Sequence, residues 1–249
     1  MILMFDIGNT TVGIALAKED TILKTFRINT NLLKTADEYY LDIIRLIDNL
    51  EITDIIISSV VPQITDVLYE VSLKYFELTP ITLKPGIKTG IKIKTDNPRE
   101  VGADLICDAA AVINAEKPTL IIDLGTAIKY IYVKDNTITG VIITPGIEVS
   151  IKALVGNTAL LPQIEITVPK NVLGNNTIEC MQSGVTYGVS AQIDGLIDRI
   201  KKEVNETFDV VLTGGLAEII LPLISKPTIH RENLIFEGLL NIYNRNKNN

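Results

Sequence analysis

Tryptophan is absent from the 249-residue chain, histidine occurs once, at His230, and cysteine twice, at Cys107 and Cys180. A lone histidine with no Ser or Cys motif beside it argues against a His-dependent hydrolase and is read as structural. Two cysteines far apart supply neither a disulfide framework nor a zinc set, so both are read as buried thiols. Basic residues are also short: 23 Lys+Arg stand against 30 Asp+Glu, a net charge of −7. Nucleic-acid affinity rests largely on Lys and Arg neutralising phosphates, so no nucleic-acid partner is expected. No run of about 18 apolar residues is available to span a bilayer. The stretch Met1-Ile2-Leu3-Met4-Phe5 meets Asp6 at once, without the basic start or cleavage site of a signal peptide. A cytoplasmic protein with no membrane partner is therefore expected.

What is present is Ile, Val and Leu in short runs. These predict strands at Ile2–Phe5, Thr11–Leu16, Asp54–Ser58, Leu120–Ile122, Ile128–Val133 and Val210–Leu212. Helical patterns fall at Ala36–Asn49, Ile64–Lys74, Ala103–Ala115, Thr177–Lys202 and Asn233–Arg245. Strands and helices mixed in this way predict an α/β protein, and continuous rather than alternating apolar runs predict sheets covered on both faces.

The chain also matches itself. Leu3-Met4-Phe5-Asp6-Ile7-Gly8-Asn9-Thr10-Thr11-Val12-Gly13-Ile14-Ala15 aligns with Leu120-Ile121-Ile122-Asp123-Leu124-Gly125-Thr126-Ala127-Ile128-Lys129-Tyr130-Ile131-Tyr132. Each reads as a buried strand ending in Asp, a Gly turn with small hydroxyl residues, and a returning strand. Duplication of one domain is the economical reading, with residues 1–117 and 118–249 as the halves. An Asp-x-Gly turn between two strands is also ordinary hairpin punctuation, and one alone would say little.

Two such turns suit a nucleoside triphosphate. Gly lets backbone approach phosphate oxygens, Thr and Asn donate hydrogen bonds, and Asp holds hydrated Mg²⁺. A third element, Val210-Val211-Leu212-Thr213-Gly214-Gly215, is a strand ending in Gly-Gly before a helix, where a ribose or phosphate can sit. Asp6-x-Gly8, Asp123-x-Gly125-Thr126 and Thr213-Gly214-Gly215 together resemble the phosphate and adenosine motifs of the actin, hexokinase and acetate-kinase superfamily. That resemblance implies two duplicated ribonuclease-H-like domains with ATP between them. No Gly-x-Gly-x-x-Gly follows the first strand, which excludes a Rossmann reading.

The middle of the chain narrows the resemblance. Asp96-Asn97-Pro98, Gly102-Ala103-Asp104, Thr144-Pro145-Gly146, Thr158-Ala159-Leu160-Leu161-Pro162, Asn176-Thr177, Gln182-Ser183-Gly184 and Glu237-Gly238-Leu239-Leu240 are collinear with type III pantothenate kinase, which the chain resembles over nearly its whole length. The resemblance implies transfer of the ATP γ-phosphoryl group to pantothenate, giving 4′-phosphopantothenate, the first step towards coenzyme A. It implies Asp104 as general base, and ATP contacts along Asp6, Ile7, Gly8, Asn9, Thr10, Thr11, Val12 and Gly13 and at Thr126. It implies Mg²⁺ organised by Asp6 and a monovalent cation, K⁺ or NH₄⁺, on Asp123. Pantothenate would meet Thr95, Gly102, Ala103, Asp104 and Leu105, with Thr177 supplied by the second subunit of a homodimer.

Several positions depart from the family pattern. Leu105 stands where an Arg is usual, Asp108 where an Asn is usual, and Thr95 where a Tyr precedes the Asp-Asn-Pro segment. Ile128-Lys129 replace a Thr pair. Losing an Arg and gaining an Asp makes the expected pocket about two charges more negative, although pantothenate is itself a carboxylate. Two readings stand at this point: a pantothenate kinase with a rearranged pocket, and a paralogue that phosphorylates another hydroxyl compound or senses a ligand without turnover.

Overall fold

A computed structural model describes residues 1–48 and 50–247. In chain order the elements are β1 (Ile2–Ile7), β2 (Thr11–Lys18), β3 (Thr21–Asn29), α1 (Ala36–Ile47), β4 (Asp54–Ser59), α2 (Pro62–Tyr75), β5 (Ile81–Thr82), β6 (Lys92–Ile93), α3 (Ala103–Ala110), β7 (Thr119–Leu124), β8 (Ala127–Lys134), β9 (Thr137–Pro145), α4 (Ile147–Gly156), α5 (Thr177–Val204), β10 (Asp209–Thr213), α6 (Ala217–Ile220), β11 (Ile229–His230) and α7 (Leu234–Lys247). Every predicted strand and helix is found, with shifted ends; the predicted end of the first helix, Asn49, lies outside the described residues.

The chain folds as two compact units. One is Met1–Ile113 together with the segment from Asn233 onward, and the other is Asn114–Glu232. This division differs from halves meeting at Lys117 in one main respect: α7 returns to the first unit. Its apolar residues Phe236, Leu239, Leu240, Ile242 and Tyr243 join Ile2, Met4, Ala15, Ile56, Cys107 and Ala110 in one buried cluster. The opposite face of the same sheet carries Leu3, Phe5 and Ile7 against Tyr39 and Ile43 of α1 and Ile64, Leu68 and Val71 of α2. The unbroken apolar run of β1 is thus explained, because alternate residues serve cores on both faces.

Strand order in the first unit is β3-β2-β1-β4-β5, and in the second β9-β8-β7-β10-β11. In each, three antiparallel strands are followed by two parallel ones. The repeated order makes the self-match a structural duplication. In the second unit Leu120, Ile122 and Leu124 pack on Ile147 and Ile151 of α4, Val185 and Ile193 of α5, and Ile220 of α6.

The two hairpins differ in one detail. The last pair of the first is Ile7 with Val12, and of the second Leu124 with Ile128, so the second turn is one residue shorter. Asp6 consequently lies opposite Gly13, whereas Asp123 lies opposite Lys129.

Candidate functional site

In the first unit, Asp6 lies near the end of β1 beside Ser58 of the parallel strand β4, and Ser58 Oγ donates to Asp6 Oδ1 at 3.3 Å. The hairpin tip is closed by Gly8 N donating to Thr11 O at 2.9 Å. It is also tied to the end of β3, where Thr30 N donates to Thr10 O at 2.9 Å and Thr30 Oγ1 to Gly8 O at 2.7 Å. Asn9 and Thr10 are left exposed at the tip. Ile7 and Val12 bury their side chains, so of the expected nucleotide contacts these two are restricted to main-chain atoms. Gly13 is packed beneath Phe236, whose Cζ would lie 3.0 Å from an added Cβ.

Asp104 occupies the first turn of α3, after Gly102 as N-cap. Its carboxylate folds over that residue: a Cβ on Gly102 would overlap Asp104 Oδ1. The exposed N–H groups of a helix start favour negative charge there. One turn later the Cys107 thiol is fully buried. Burial pushes its pKa well above the ordinary value, the charges of Asp6, Asp108 and Asp104 push in the same direction, and a hydrogen bond with Ser58 opposes them. Acids distant in sequence are therefore gathered around one thiol. The reading of both cysteines as buried fails for Cys180, which is exposed.

A cleft of about 540 Å³ opens beside α3, lined by Ser59, Val60, Leu83, Lys84, Gly102 and Ala103 among others. That volume lies in the range of small-molecule sites. Leu105 does not belong to it. Ala103 and Ile106 line the cleft three positions apart on one helix face, and Leu105, pointing elsewhere, is 7% exposed in the core. The Leu105 side chain is thus buried rather than in this lining, and neither Asp104 nor Thr95 is among the lining residues. Asp108, also expected to add charge there, is wholly buried. The Thr95 hydroxyl is buried with no hydrogen-bond partner among the described residues.

In the second unit, Lys129 Nζ lies 2.6 Å from Asp123 Oδ2, with the two side chains only 12% and 13% exposed. Gly214, at φ +97°, lies over the same carboxylate: an added Cβ would be 2.6 Å from Asp123 Oδ1 and 2.5 Å from Leu124 N. Only glycine adopts this conformation and approach without strain. Thr126 is exposed at the hairpin tip, and its carbonyl accepts from Gly146 N at 3.1 Å. Thr177, the first residue of α5, is exposed behind an Asn176 cap that accepts from Glu179 N at 3.0 Å. A monovalent cation does not fit Asp123 as the chain stands, because an ammonium already holds that carboxylate.

Ser58, Thr30 and Lys84 were not among the residues expected from sequence. Ser58 ends the predicted strand Asp54–Ser58, and its place beside Asp6 follows once that strand is seen to run parallel to β1, since parallel strands present their carboxyl ends together. Lys84 carries no such signal. Among the described residues no group of three or more His, Cys, Asp or Glu side chains could hold a metal ion.

Comparison with known proteins follows the same lines. The type III pantothenate kinase family model matches residues 2–199. A type III pantothenate kinase of Acholeplasma laidlawii is 53% identical over 246 residues, covering 99% of both chains. One from an Exiguobacterium species is 41% identical over 254 residues, covering 99% of this chain and all of its own. Among solved structures, the activator of 2-hydroxyisocaproyl-CoA dehydratase from Clostridium difficile, with bound ADPNP, superposes with a TM-score of 0.56 at 15% identity, covering 99% of this chain and 94% of its own. The fold is thus that of the actin and hexokinase kinases, with two ribonuclease-H-like units. Matched from end to end at this level of identity, the chain belongs to the type III pantothenate kinase family.

Proposed function

We infer that the chain catalyses ATP-dependent phosphorylation of pantothenate to 4′-phosphopantothenate, the entry to coenzyme A synthesis. The observation that carries this reading is Asp104, set on a helix start beside a cleft of substrate size and grouped with Asp6 around Cys107. A primary hydroxyl is far too weak an acid for a carboxylate to ionise beforehand. Asp104 orients that hydroxyl and takes its proton late, as the loose phosphoryl transition state develops. Gly102 and Ala103 shape the near wall. Lys84, a cation in the lining, takes the pantothenate carboxylate.

In the first unit the Gly8–Thr11 tip offers backbone and hydroxyl groups to phosphate oxygens; in the second, Thr126 offers an exposed hydroxyl to ATP. Asp6 fits Mg²⁺: a carboxylate at the base of the hairpin, beside the Ser58 hydroxyl, suits a cation that keeps waters and arrives with phosphate. Bound there, the ion neutralises charge on the phosphate oxygens. A homodimer completes the substrate site, with Thr177 of the partner subunit reaching it. The exposure of Thr177 at the start of α5 leaves it open to such a contact. No helix among the described residues is long and apolar enough to cross a membrane, in keeping with a cytoplasmic enzyme drawing on cytoplasmic ATP.

The test is ADP release from ATP and Mg²⁺ with and without pantothenate, using Asp104→Asn as control. Pantothenate-dependent release, reduced about 10²- to 10⁴-fold in the variant, is expected. Absence of turnover from folded protein, or an Asp104→Asn variant as fast as wild type, would overturn the assignment.

A further inference from the structure

We propose that Lys129 is a tethered cation that takes the place of a bound monovalent cation at Asp123, making this enzyme indifferent to K⁺ and NH₄⁺. The inference rests on the kinase reading for its catalytic half and on the ion pair alone for its binding half. Three observations carry it. The ammonium is 2.6 Å from Asp123 Oδ2. Both side chains are largely removed from solvent, at 12% and 13% exposure, so the contact is not a passing surface pair. The strand register places Lys129 directly opposite Asp123 on the same sheet face, and the turn shorter by one residue is what brings Lys129 rather than its neighbour to that position. In the related hairpin the corresponding partner is Gly13, which brings no charge to Asp6.

A potassium ion seeking the same carboxylate would have to shed its water and sit within a few ångströms of a like charge, where little solvent screens the repulsion. Gly214 leaves no slack on the other side of the carboxylate, since even a methyl carbon there would press on Oδ1. The covalent stem gives the ammonium a local concentration that free K⁺ does not match. The charge a soluble ion would bring to this hairpin is therefore supplied by the chain.

The experiment has two readouts at constant ionic strength, with choline chloride exchanged for KCl or NH₄Cl. The first is the thermal midpoint without substrates, which reports cation binding whether or not the protein turns over. The second is the initial rate of pantothenate-dependent ADP release. Wild type is expected to show the same midpoint and a rate constant within about twofold across the exchange. Lys129→Thr is expected to lose rate at least tenfold in choline and to recover with K⁺ or NH₄⁺, its midpoint rising with the same concentration dependence. Lys129→Gln, which keeps the stem, serves if the Thr variant does not fold. A saturable rise of the wild-type midpoint or rate with K⁺ overturns the proposal, as does a folded variant that remains unresponsive. A wild type that binds no K⁺ by midpoint and shows no turnover in any salt upholds the cation assignment and refutes the kinase reading instead.

Discussion

Helix α7 crosses α3 at Gly238, and replacing that residue by Ala tests the contact that positions Asp104. A Cβ on Gly238 would overlap the carbonyl oxygen of Cys107 and lie 2.7 Å from its carbon and 3.0 Å from Ala111 N. All three are backbone atoms, so no side-chain rotation relieves the clash, and the helices must part by roughly 1 Å or more before ordinary contact is restored. Forcing apart a packed interface costs about 3 kcal/mol. Ala is the better helix former by about 1 kcal/mol, which offsets part of this. A net loss of about 2 kcal/mol in the first unit lowers its melting temperature by roughly 4–8 °C. Because α3 carries Asp104, the same movement displaces the proposed base, and a displacement near 1 Å can reduce turnover about 100-fold. Gly195→Ala is the control, because this residue is exposed on α5 with nothing within 4 Å of an added Cβ. It should raise the melting temperature by a few degrees. Calorimetry with steady-state kinetics on both variants decides the matter. A Gly238→Ala protein that melts at or above wild type with unchanged kcat refutes the close approach of the two helices and its role in placing Asp104.

Thiol titration with an aromatic disulfide at pH 8 should find Cys180 reactive in the native protein and Cys107 only after denaturation, since Cys107 is buried with its pKa held high by burial first and by neighbouring carboxylates second; rapid native modification of both would contradict that packing. Glu206 accepts from Lys134 Nζ at 2.7 Å and from the Tyr132 hydroxyl at 3.1 Å, and the Lys134 hydrogen bond holds its pKa below the ordinary 4.5. A depressed folded pKa contributes stability above the unfolded value and loses it as pH falls through the folded one. The melting-temperature gap between wild type and Glu206→Gln should therefore be widest near pH 7 and close below about pH 4.5, and a gap that widens on acidification would refute the assignment. Thr177→Ala should raise KM for pantothenate while leaving kcat and melting temperature nearly unchanged. Light scattering should give twice the chain mass, and a monomer with full activity would exclude the shared site.

Much of this arrangement was legible because apolar runs report burial. β1 and β7 read as strands covered on both faces, and they are, while the Asp-x-Gly turns located both hairpins. β3 escaped because Thr21–Asn29 alternates exposed and half-buried residues with little apolar content. The return of α7 to the first unit was hidden for another reason: Leu239 and Leu240 announce an apolar helix face, but nothing local names the face that covers it. Leu105 shares a sequence motif with Gly102 and Ala103, but helical periodicity turns its side chain from the face that Ala103 and Ile106 share, which a motif match does not report. The partner of Asp123 depended on the length of a turn, and a one-residue change there alters every cross-strand pair that follows.

The excursion of the chain out of the first unit at Ile113 and its return at Asn233 also has a meaning for synthesis. Every residue of the second unit leaves the ribosome before α7 does. The second unit can therefore complete its core on the nascent chain, while the first waits with Met4, Ile56 and Cys107 uncovered on one sheet face until its last helix is made. In the cell, the interval between those events is when this protein is most in need of a chaperone, and a ribosome stalled before residue 233 would leave a folded second unit attached to an unfinished first.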